Sequence, residues 1–290
     1  MHEQQFVRSN GETVAYFDYG RSERVVFFHH GTPSAGPLTP HIRRNADANN
    51  FRIIEIVRPG YGSSTAISGR AVNTISEINL EVANAFGIER FAVAGLSGGG
   101  PHALASAHLA GSRCLAQLIV AGLAPSDSSN FDFFVGITEE DKDDWLLPLT
   151  NMDEFEAQLT ETVREWSSYS FEDVKAMLNV NPEFQFSDEQ ISAIHAVRRY
   201  SLLSSTVGLK DDQLAFLKPW GFSLTETSMP VQLWAGSDDV NVPPAHAHFL
   251  NEIVPNSELR IVEHCIHSTI SEPAIQDGFA WLGEIFSSQS

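Results

Sequence analysis

The chain has 290 residues, of which 42% are hydrophobic and 19% charged, and its formal net charge at pH 7 is −19. This composition is typical of a globular protein with enough apolar material for a sizeable core. The sequence holds no apolar run of the roughly 18 residues that a membrane span requires, so we expect no membrane insertion. The large negative charge disfavours nucleic acid and anionic membranes as partners.

The first residues and the cysteine content bear on the compartment. The N-terminus lacks the basic region and the apolar stretch of a secretory signal. Cys114 and Cys265 are too few for a disulfide framework. We therefore expect a cytoplasmic protein in a reduced setting, and the sequence leaves a homo-oligomer open.

Short apolar runs alternate with amphipathic stretches in the first part of the chain. The predicted buried strands are residues 25–28, 53–57, 91–96 and 115–121, and the predicted helices are residues 40–49, 73–86 and 99–109. Asn73 is expected to cap the second of these helices, and Gly87 to end it. This alternation predicts an α/β fold with a mostly parallel sheet that helices cover on both faces.

The pattern changes between residues 125 and 228. This segment contains 20 acidic and 7 basic residues and no convincing buried strand. Helical periodicity is present in residues 153–165, 171–178, 189–207 and 211–217. Strand and helix patterns then resume, with strands at 231–235 and 259–262 and helices at 243–253 and 273–286. The sequence therefore predicts a helical insertion, residues 125–228, in an α/β core formed by residues 1–124 and 229–290.

A glycine-rich turn follows the third predicted strand and precedes a helix, with the sequence Gly95-Leu96-Ser97-Gly98-Gly99. Between a buried strand and a helix, G-x-S-x-G predicts a strained turn that exposes a nucleophilic serine hydroxyl at the top of the sheet. The residues two before and two after the serine must pass close together, which explains the two glycines. A nucleotide-binding loop is disfavoured because neither phosphate-binding glycine pattern is present.

The loop after the first predicted strand, residues 29–33 with the sequence HHGTP, is the candidate for completing an oxyanion hole. Two preorganised backbone N–H groups should meet the oxyanion of a tetrahedral intermediate. We predict that Gly98 and Thr32 supply them, because Pro33 has no N–H to donate. His30 is expected to orient this loop by hydrogen bonding rather than to act as the catalytic base.

An acid and a histidine follow two successive late strands, both after the serine, which is the chain order expected for this fold. Ser97 needs a histidine to accept its proton, and a carboxylate fixes the tautomer of that imidazole. We favour Asp239 over its neighbour Asp238 as the acid. We favour His267 over His264 as the base. A metal site is not expected, since these histidines lack a second ligand pair with the usual spacing.

Taken together, these residues resemble the α/β-hydrolase superfamily over nearly the whole chain. The matching motifs are His30-Gly31-Thr32-Pro33, Arg58-Pro59-Gly60-Tyr61-Gly62-Ser63, Gly95-Leu96-Ser97-Gly98-Gly99, Gly236-x-x-Asp239 and His267. The resemblance implies the α/β-hydrolase fold, a Ser97–Asp239–His267 triad, no cofactor, and a helical cap at residues 125–228 that forms much of the substrate pocket. Some relatives take their acid from the position of Asp127, which stays a third candidate.

The chain departs from that family at two positions. Relatives often carry an acid before the Arg-Pro-Gly-Tyr-Gly motif, where this chain has Val57, and a glycine before the base, where it has Ile266. The serine at position 97 disfavours the haloalkane dehalogenases and epoxide hydrolases of this fold, which use aspartate there. The His-Gly-Thr-Pro loop also differs from that of proline iminopeptidases.

We predict a serine hydrolase that cleaves a carboxylic ester of a small or medium-sized substrate through an acyl-enzyme intermediate. A C–C bond hydrolase or lactonase with the same triad is an alternative, and a weakly catalytic ligand-binding or receptor protein is an alternative of another class. The acidic insertion has two interpretations: a merely solvated face, which we favour, or a surface that repels anionic substrates.

Overall fold

The computed structural model describes residues 2–179, 185–203 and 206–289. Among these residues, eight strands form one sheet: β1 (Gln4–Val7), β2 (Thr13–Tyr19), β3 (Val25–His29), β4 (Arg52–Ile56), β5 (Phe91–Leu96), β6 (Cys114–Val120), β7 (Val231–Gly236) and β8 (Ser257–Val262). Their order is β1-β2-β4-β3-β5-β6-β7-β8. The strands from β3 onward pair in parallel, while β2 pairs antiparallel with β1 and with β4. The predicted mostly parallel α/β sheet is therefore confirmed.

The two antiparallel strands at the N-terminal edge escaped the sequence prediction. Strand β1 lies largely exposed at the edge, and β2 carries polar residues such as Asp18 within an otherwise buried run. The Asp18 carboxylate accepts two hydrogen bonds from Arg52 on β4, at 2.9 and 2.8 Å. Wholly apolar runs indicate strands that are buried on both faces. The exposed strand β1 and the mixed strand β2 therefore lack this signal.

Helices cover both faces of the sheet. They are α1 (Pro40–Ala48), α2 (Thr74–Ala85), α3 (Gly99–Ala110), α9 (Pro244–Ile253) and α10 (Ser271–Ser288). Apolar residues of α2, α3 and α9 join one buried cluster, and those of α1 and α10 join another on the opposite face. Because the strands between them are buried on both sides, the sheet is a rigid support for the loops at its edge.

At the two ends of α2, the prediction for Gly87 is confirmed and the prediction for Asn73 is wrong. Gly87 has a φ of +66°, the left-handed conformation in which a glycine often ends a helix. Asn73 precedes the helix, but its side chain makes no capping bond and instead donates to the Gly221 carbonyl at 3.3 Å. The Asn73 side chain thus bonds to a residue far away in the sequence instead of capping the helix.

The described residues between β6 and β7 form five α-helices: α4 (Glu139–Thr150), α5 (Met152–Ser168), α6 (Phe171–Leu178), α7 (Asp188–Leu203) and α8 (Val207–Phe216). Side chains fix where three of them begin, because Thr138, Asn151 and Ser170 each accept a hydrogen bond from a backbone N–H in the first helical turn. None of these helices, and none elsewhere in the described ranges, is long and apolar enough to cross a lipid bilayer.

The structure corrects the helix predictions in this region. The sequence indicated no helix at α4, whose apolar residues are few and include the interior Pro148. The predicted helix at residues 189–207 is instead α7, and Val207 belongs to α8, which begins four residues before the predicted 211–217. Residues 204–205 of that prediction, and residues 180–184 of the predicted insertion, lie outside the described residues.

Gly99→Ala should destabilise the protein strongly, because a Cβ at this position would lie 2.6 Å from the His30 carbonyl oxygen and closer still to that of His29. We expect a loss of about 1–3 kcal/mol or more in the free energy of unfolding. Gly283→Ala in α10 is the control, since its Cβ would meet only the end of the Asn49 side chain, at 3.2 Å. Denaturant unfolding checks both variants, and equal stability of the two would contradict the prediction.

Candidate active site

The functional side chains predicted from the sequence come together at one edge of the sheet. The loops that follow β3, β5, β7 and β8 carry Thr32, Ser97, Asp239 and His267. These four strands are parallel, so their carboxyl ends, and the loops that leave them, meet on the same side. Ligands of open α/β sheets bind at this edge.

Ser97 lies on the sharp turn between β5 and α3 and has a φ of +54°, which is unusual for a residue with a side chain. Its backbone N–H donates to the Val120 carbonyl at 2.8 Å, and its own carbonyl accepts from the Gly100 N–H at 2.8 Å. A Cβ on Gly95 would overlap the Gly99 backbone. The strained serine is therefore held by close backbone packing on both sides of the turn.

A hydrogen-bonded chain of three side chains extends from Ser97. The His267 Nε2 atom lies 2.9 Å from Ser97 Oγ, and His267 Nδ1 lies 2.7 Å from Asp239 Oδ2. The other Asp239 oxygen accepts the backbone N–H groups of Asn241 and Val242, both at 2.9 Å. The Asp239 side chain is fully buried, and these bonds hold it in place against the imidazole.

The alternative acids and bases lie elsewhere. Asp238 and His264 form a loose pair on the surface, with 3.8 Å between Oδ2 and Nδ1 and side chains that are 54% and 86% exposed. Asp127 lines a separate cavity beside Trp220. Of the two adjacent aspartates and the two histidines, Asp239 and His267 point inward to Ser97, while the other two lie on the surface.

His30 is occupied by structural contacts. Its Nδ1 lies 2.7 Å from the Gly31 carbonyl oxygen, and its Nε2 accepts the Arg58 backbone N–H at 3.2 Å. Burial, reinforced by the nearby Arg58 charge, lowers the pKa of His30 well below its ordinary value, so the ring is neutral. Both ring nitrogens are engaged by backbone groups, one in the same loop and one after β4, which matches the orienting role expected for this histidine.

Two backbone N–H groups lie next to Ser97. A Cβ on Gly98 would lie 2.9 Å from the Cβ of Thr32, so the two residues are in direct contact. Both residues line the cavity that contains Ser97. Among the hydrogen bonds of the described residues, the backbone N–H groups of Gly98 and Thr32 donate none. They are therefore available to an oxygen bound beside the serine.

A buried carboxylate from α8 holds the loop that contains Thr32. Asp212 Oδ2 accepts hydrogen bonds from Thr32 Oγ1 at 2.6 Å, from Tyr61 at 2.9 Å and from Arg58 Nη2 at 2.5 Å. Its other oxygen pairs with Arg70 Nη2 at 2.5 Å. The Arg58 and Asp212 side chains are completely buried. We call these five residues the Asp212 cluster.

Within the core, the Asp212 carboxylate is shared by two guanidiniums. Burial alone would raise the pKa of Asp212, but the adjacent Arg58 and Arg70 guanidiniums outweigh it and hold that pKa well below its ordinary value. Arg58 also donates to the backbone carbonyls of His30 and Gly31. The cluster thus ties α8 to the backbone around Thr32.

Sequence reasoning missed Asp212. The acid that relatives often carry before the Arg58 motif is replaced by Val57 in this chain. In the folded chain, a carboxylate from a helix 154 residues further along the sequence contacts Arg58 instead. Asp211-Asp212 in the middle of an amphipathic helix carries no pattern that predicts burial, so only the packing of α8 reveals it.

Ser97 opens into a cavity of about 1000 Å³ between the sheet edge and helices α4–α8. Its walls are mainly apolar, formed on the sheet side by Leu38, Ile42, Leu123 and Val242 and on the helical side by Trp145, Trp166, Ile194, Val197, Leu209 and Phe216. A partly enclosed, mainly apolar space beside a nucleophile is where a substrate would leave water.

Asp212→Asn should destabilise the protein by about 3–5 kcal/mol, because it leaves two buried guanidiniums without a full counter-charge. The folded pKa of Asp212 lies below its unfolded value, so its contribution is present above about pH 4 and is lost as pH falls through the folded pKa. Denaturant unfolding at pH 7 and at acidic pH should show the difference from wild type shrinking in acid.

Asp211→Asn is the matched control for this prediction. Asp211 is also buried, but its Oδ2 has no hydrogen-bond partner among the described residues, and burial raises the pKa of its carboxyl. Removing that charge should leave stability at neutral pH unchanged or slightly higher. The role of the Asp212 cluster would be contradicted if both variants were equally stable.

Comparisons with known proteins agree with this architecture. A family model described as alpha/beta hydrolase fold matches residues 24–274. No curated protein matches the sequence of this chain significantly.

Several solved structures are similar over essentially the whole chain. They include an alpha/beta hydrolase fold protein from Nakamurella multipartita (20% identity, TM-score 0.68, 100% of both chains covered), a thermophilic esterase from Thermogutta terrifontis (18%, 0.67, 98% of this chain and 99% of that one) and the epoxide hydrolase CorEH (21%, 0.70, 100% and 99%). At these identities the similarity shows a common fold. With the family model, it establishes that this chain belongs to the α/β-hydrolase family.

Proposed function

We propose that this protein is a serine esterase that hydrolyses carboxylic esters of small or medium-sized substrates. The observation that carries the proposal is the hydrogen-bonded chain Ser97–His267–Asp239 at the wall of an apolar cavity. A serine hydroxyl is a weak nucleophile until a positioned base accepts its proton. Here His267 is the base, and Asp239 is the group that orients it.

In the proposed reaction, Ser97 Oγ attacks the acyl carbon while His267 Nε2 takes its proton. His267 Nδ1–H donates to Asp239, which holds the ring in the required tautomer and stabilises the imidazolium. The protonated His267 then gives its proton to the leaving alcohol, and an acyl-enzyme remains on Ser97. A water molecule, activated by the same histidine, releases the acid and restores the serine.

The negative charge that develops on the acyl oxygen needs preorganised donors. The backbone N–H groups of Gly98 and Thr32 have no other acceptor among the described residues and border the serine. Gly98 also lies at the N-terminus of α3, whose dipole favours a negative charge. We assign these two groups as the oxyanion hole, which contributes about 3–4 kcal/mol per donor in well-studied hydrolases.

We further propose that residues 125–228 act as a cap over this site. The helices of this segment form one wall of the cavity, and Phe216 at the end of α8 would contact a Cβ on Gly98 at 3.0 Å. A cap in this position selects the substrate, while the sheet edge supplies the chemistry.

An ester panel tests the proposed activity. Wild type should hydrolyse some of a set of short and medium acyl esters, while Ser97→Ala should lose essentially all of this activity because no nucleophile remains. Lactones and dienone acids belong in the same panel, since their exclusive cleavage would indicate the alternative reactions. The esterase proposal fails if wild type cleaves no ester or if the alanine variant stays active.

Neighbouring residues provide matched controls for the acid and the base. Asp239→Asn should lower kcat by a factor on the order of 10⁴, because the amide no longer selects the required tautomer. Asp238→Asn, on the exposed neighbour, should leave kcat unchanged, and the same contrast is expected between His267→Ala and His264→Ala. Steady-state kinetics decide, and a large loss in either surface variant would contradict the assignment.

A further inference from the structure

An arginine faces the cavity from the middle of α7. The residues of this helix that line the cavity are Gln190, Ile194, Val197, Arg198 and Leu202. They recur at the three- and four-residue spacing that places side chains on one face of a helix. Arg198 therefore belongs to an otherwise largely apolar face that points toward the space beside Ser97.

The Arg198 guanidinium is stacked on an aromatic ring rather than paired with an acid. Its Cζ atom lies 3.8 Å from the ring centroid of Trp166 on α5, which also lines the cavity. Over the described ranges of the chain, Arg198 makes no hydrogen bond or ion pair. Burial lowers the pKa of Arg198, and no carboxylate offsets that effect. An arginine remains charged at neutral pH even so.

The cavity's own acids do not balance this charge. Glu55 lies buried at the sheet side of the cavity, and burial raises its pKa well above the ordinary value, which favours the neutral form. Glu272 lines the cavity from the first turn of α10, where its side chain is exposed. Neither residue forms an ion pair with Arg198.

From these observations we propose that Arg198 is the anchor for a carboxylate on the substrate, so that the preferred esters carry a free carboxylate in addition to the scissile ester. This proposal rests on the esterase function proposed above. A guanidinium matches the two oxygens of a carboxylate in a bidentate geometry, and Trp166 holds its plane in place. An unpaired cation in a mainly apolar cavity is costly to bury, and an anionic substrate group would offset that cost.

The acidic insertion carries a charge opposite to that of Arg198. The 20 acidic residues of segment 125–228 indicated either a solvated face or a surface that repels anions. Arg198 places a positive charge in the cavity lining, whereas the surface of segment 125–228 carries mainly acidic residues. The surface charge therefore governs the approach of a substrate, and Arg198 governs its binding.

Two sets of matched substrates, four pairs in all, test the proposal. The monomethyl esters of adipic, suberic and sebacic acid are each compared with the corresponding dimethyl ester, which places the carboxylate on the acyl side. For the alcohol side, para-carboxyphenyl butyrate is compared with para-carbamoylphenyl butyrate. Acid release measured by titration gives kcat/KM for every member.

Arg198→Gln should lower kcat/KM for the anionic member of at least one pair by about 10- to 100-fold, the effect of losing a charge-assisted hydrogen bond, and leave its neutral partner nearly unchanged. Arg198→Lys should retain part of the preference, because it keeps the charge without the planar fork. Arg199→Gln is the control, since the neighbouring Arg199 is exposed and its Nη1 donates only to the Ser167 carbonyl, at 3.4 Å.

The outcomes separate this proposal from the esterase proposal. If wild type and Arg198→Gln cleave the neutral esters alike and none of the pairs shows an Arg198-dependent preference, the carboxylate anchor is wrong while the esterase function stands. If wild type cleaves no ester of either kind, the esterase function itself fails. An equal loss on neutral and anionic esters in Arg198→Gln, at unchanged thermal stability, would assign Arg198 a structural role and overturn the anchor.

Discussion

The fully buried carboxylate of Asp212 is the constraint on which the arrangement of this molecule depends. It is placed by α8, yet its partners Arg58, Arg70 and Tyr61 follow β4, and Thr32 follows β3. None of these groups can be buried alone at reasonable cost, so the cluster forms only when the helices between β6 and β7 are docked on the sheet edge. The position of those helices and the shape of the Thr32 loop are therefore coupled.

That coupling explains how two elements with different structural support share a site. The residues around Ser97 are supported by a sheet buried on both faces and by glycines that admit no side chain. The proposed oxyanion donors are less symmetric, since Gly98 belongs to this rigid turn while Thr32 belongs to a loop held through Asp212. Preorganisation of the two donors thus depends on core packing for one and on a buried ion pair for the other.

The surface of the molecule is acidic, whereas the cavity beside Ser97 is mainly apolar. With 20 acidic and 7 basic residues, segment 125–228 carries −13 of the net charge of −19. Its helices form one wall of the cavity, which is lined mainly by apolar and aromatic side chains. Within that cavity, burial favours the neutral form of Glu55, and among the described residues no acid forms an ion pair with Arg198. Charge on the surface and charge at the site therefore have separate physical consequences, and the overall charge does not describe the site.

The local sequence was sufficient for features whose physical cause is local. Apolar runs predicted β3–β8, and burial on both faces leaves this trace in the residue types of β3–β7. The glycine-serine turn between strand and helix predicted the strained position of Ser97, because backbone crowding there requires glycine. The edge strand β1, the neighbouring strand β2 and the helix α4 were missed, since their exposed or mixed faces dilute that trace.

Only the tertiary structure decided what depends on distant contacts. Asp238 and Asp239, or His264 and His267, are nearly equivalent as sequence, and the path of each loop alone turns one of each pair toward Ser97. Asp212 and Arg198 look like ordinary charges on amphipathic helices. Their burial follows from how α7 and α8 pack on the sheet, which no spacing along the chain encodes, because the partners are far apart in sequence and meet only in the folded protein.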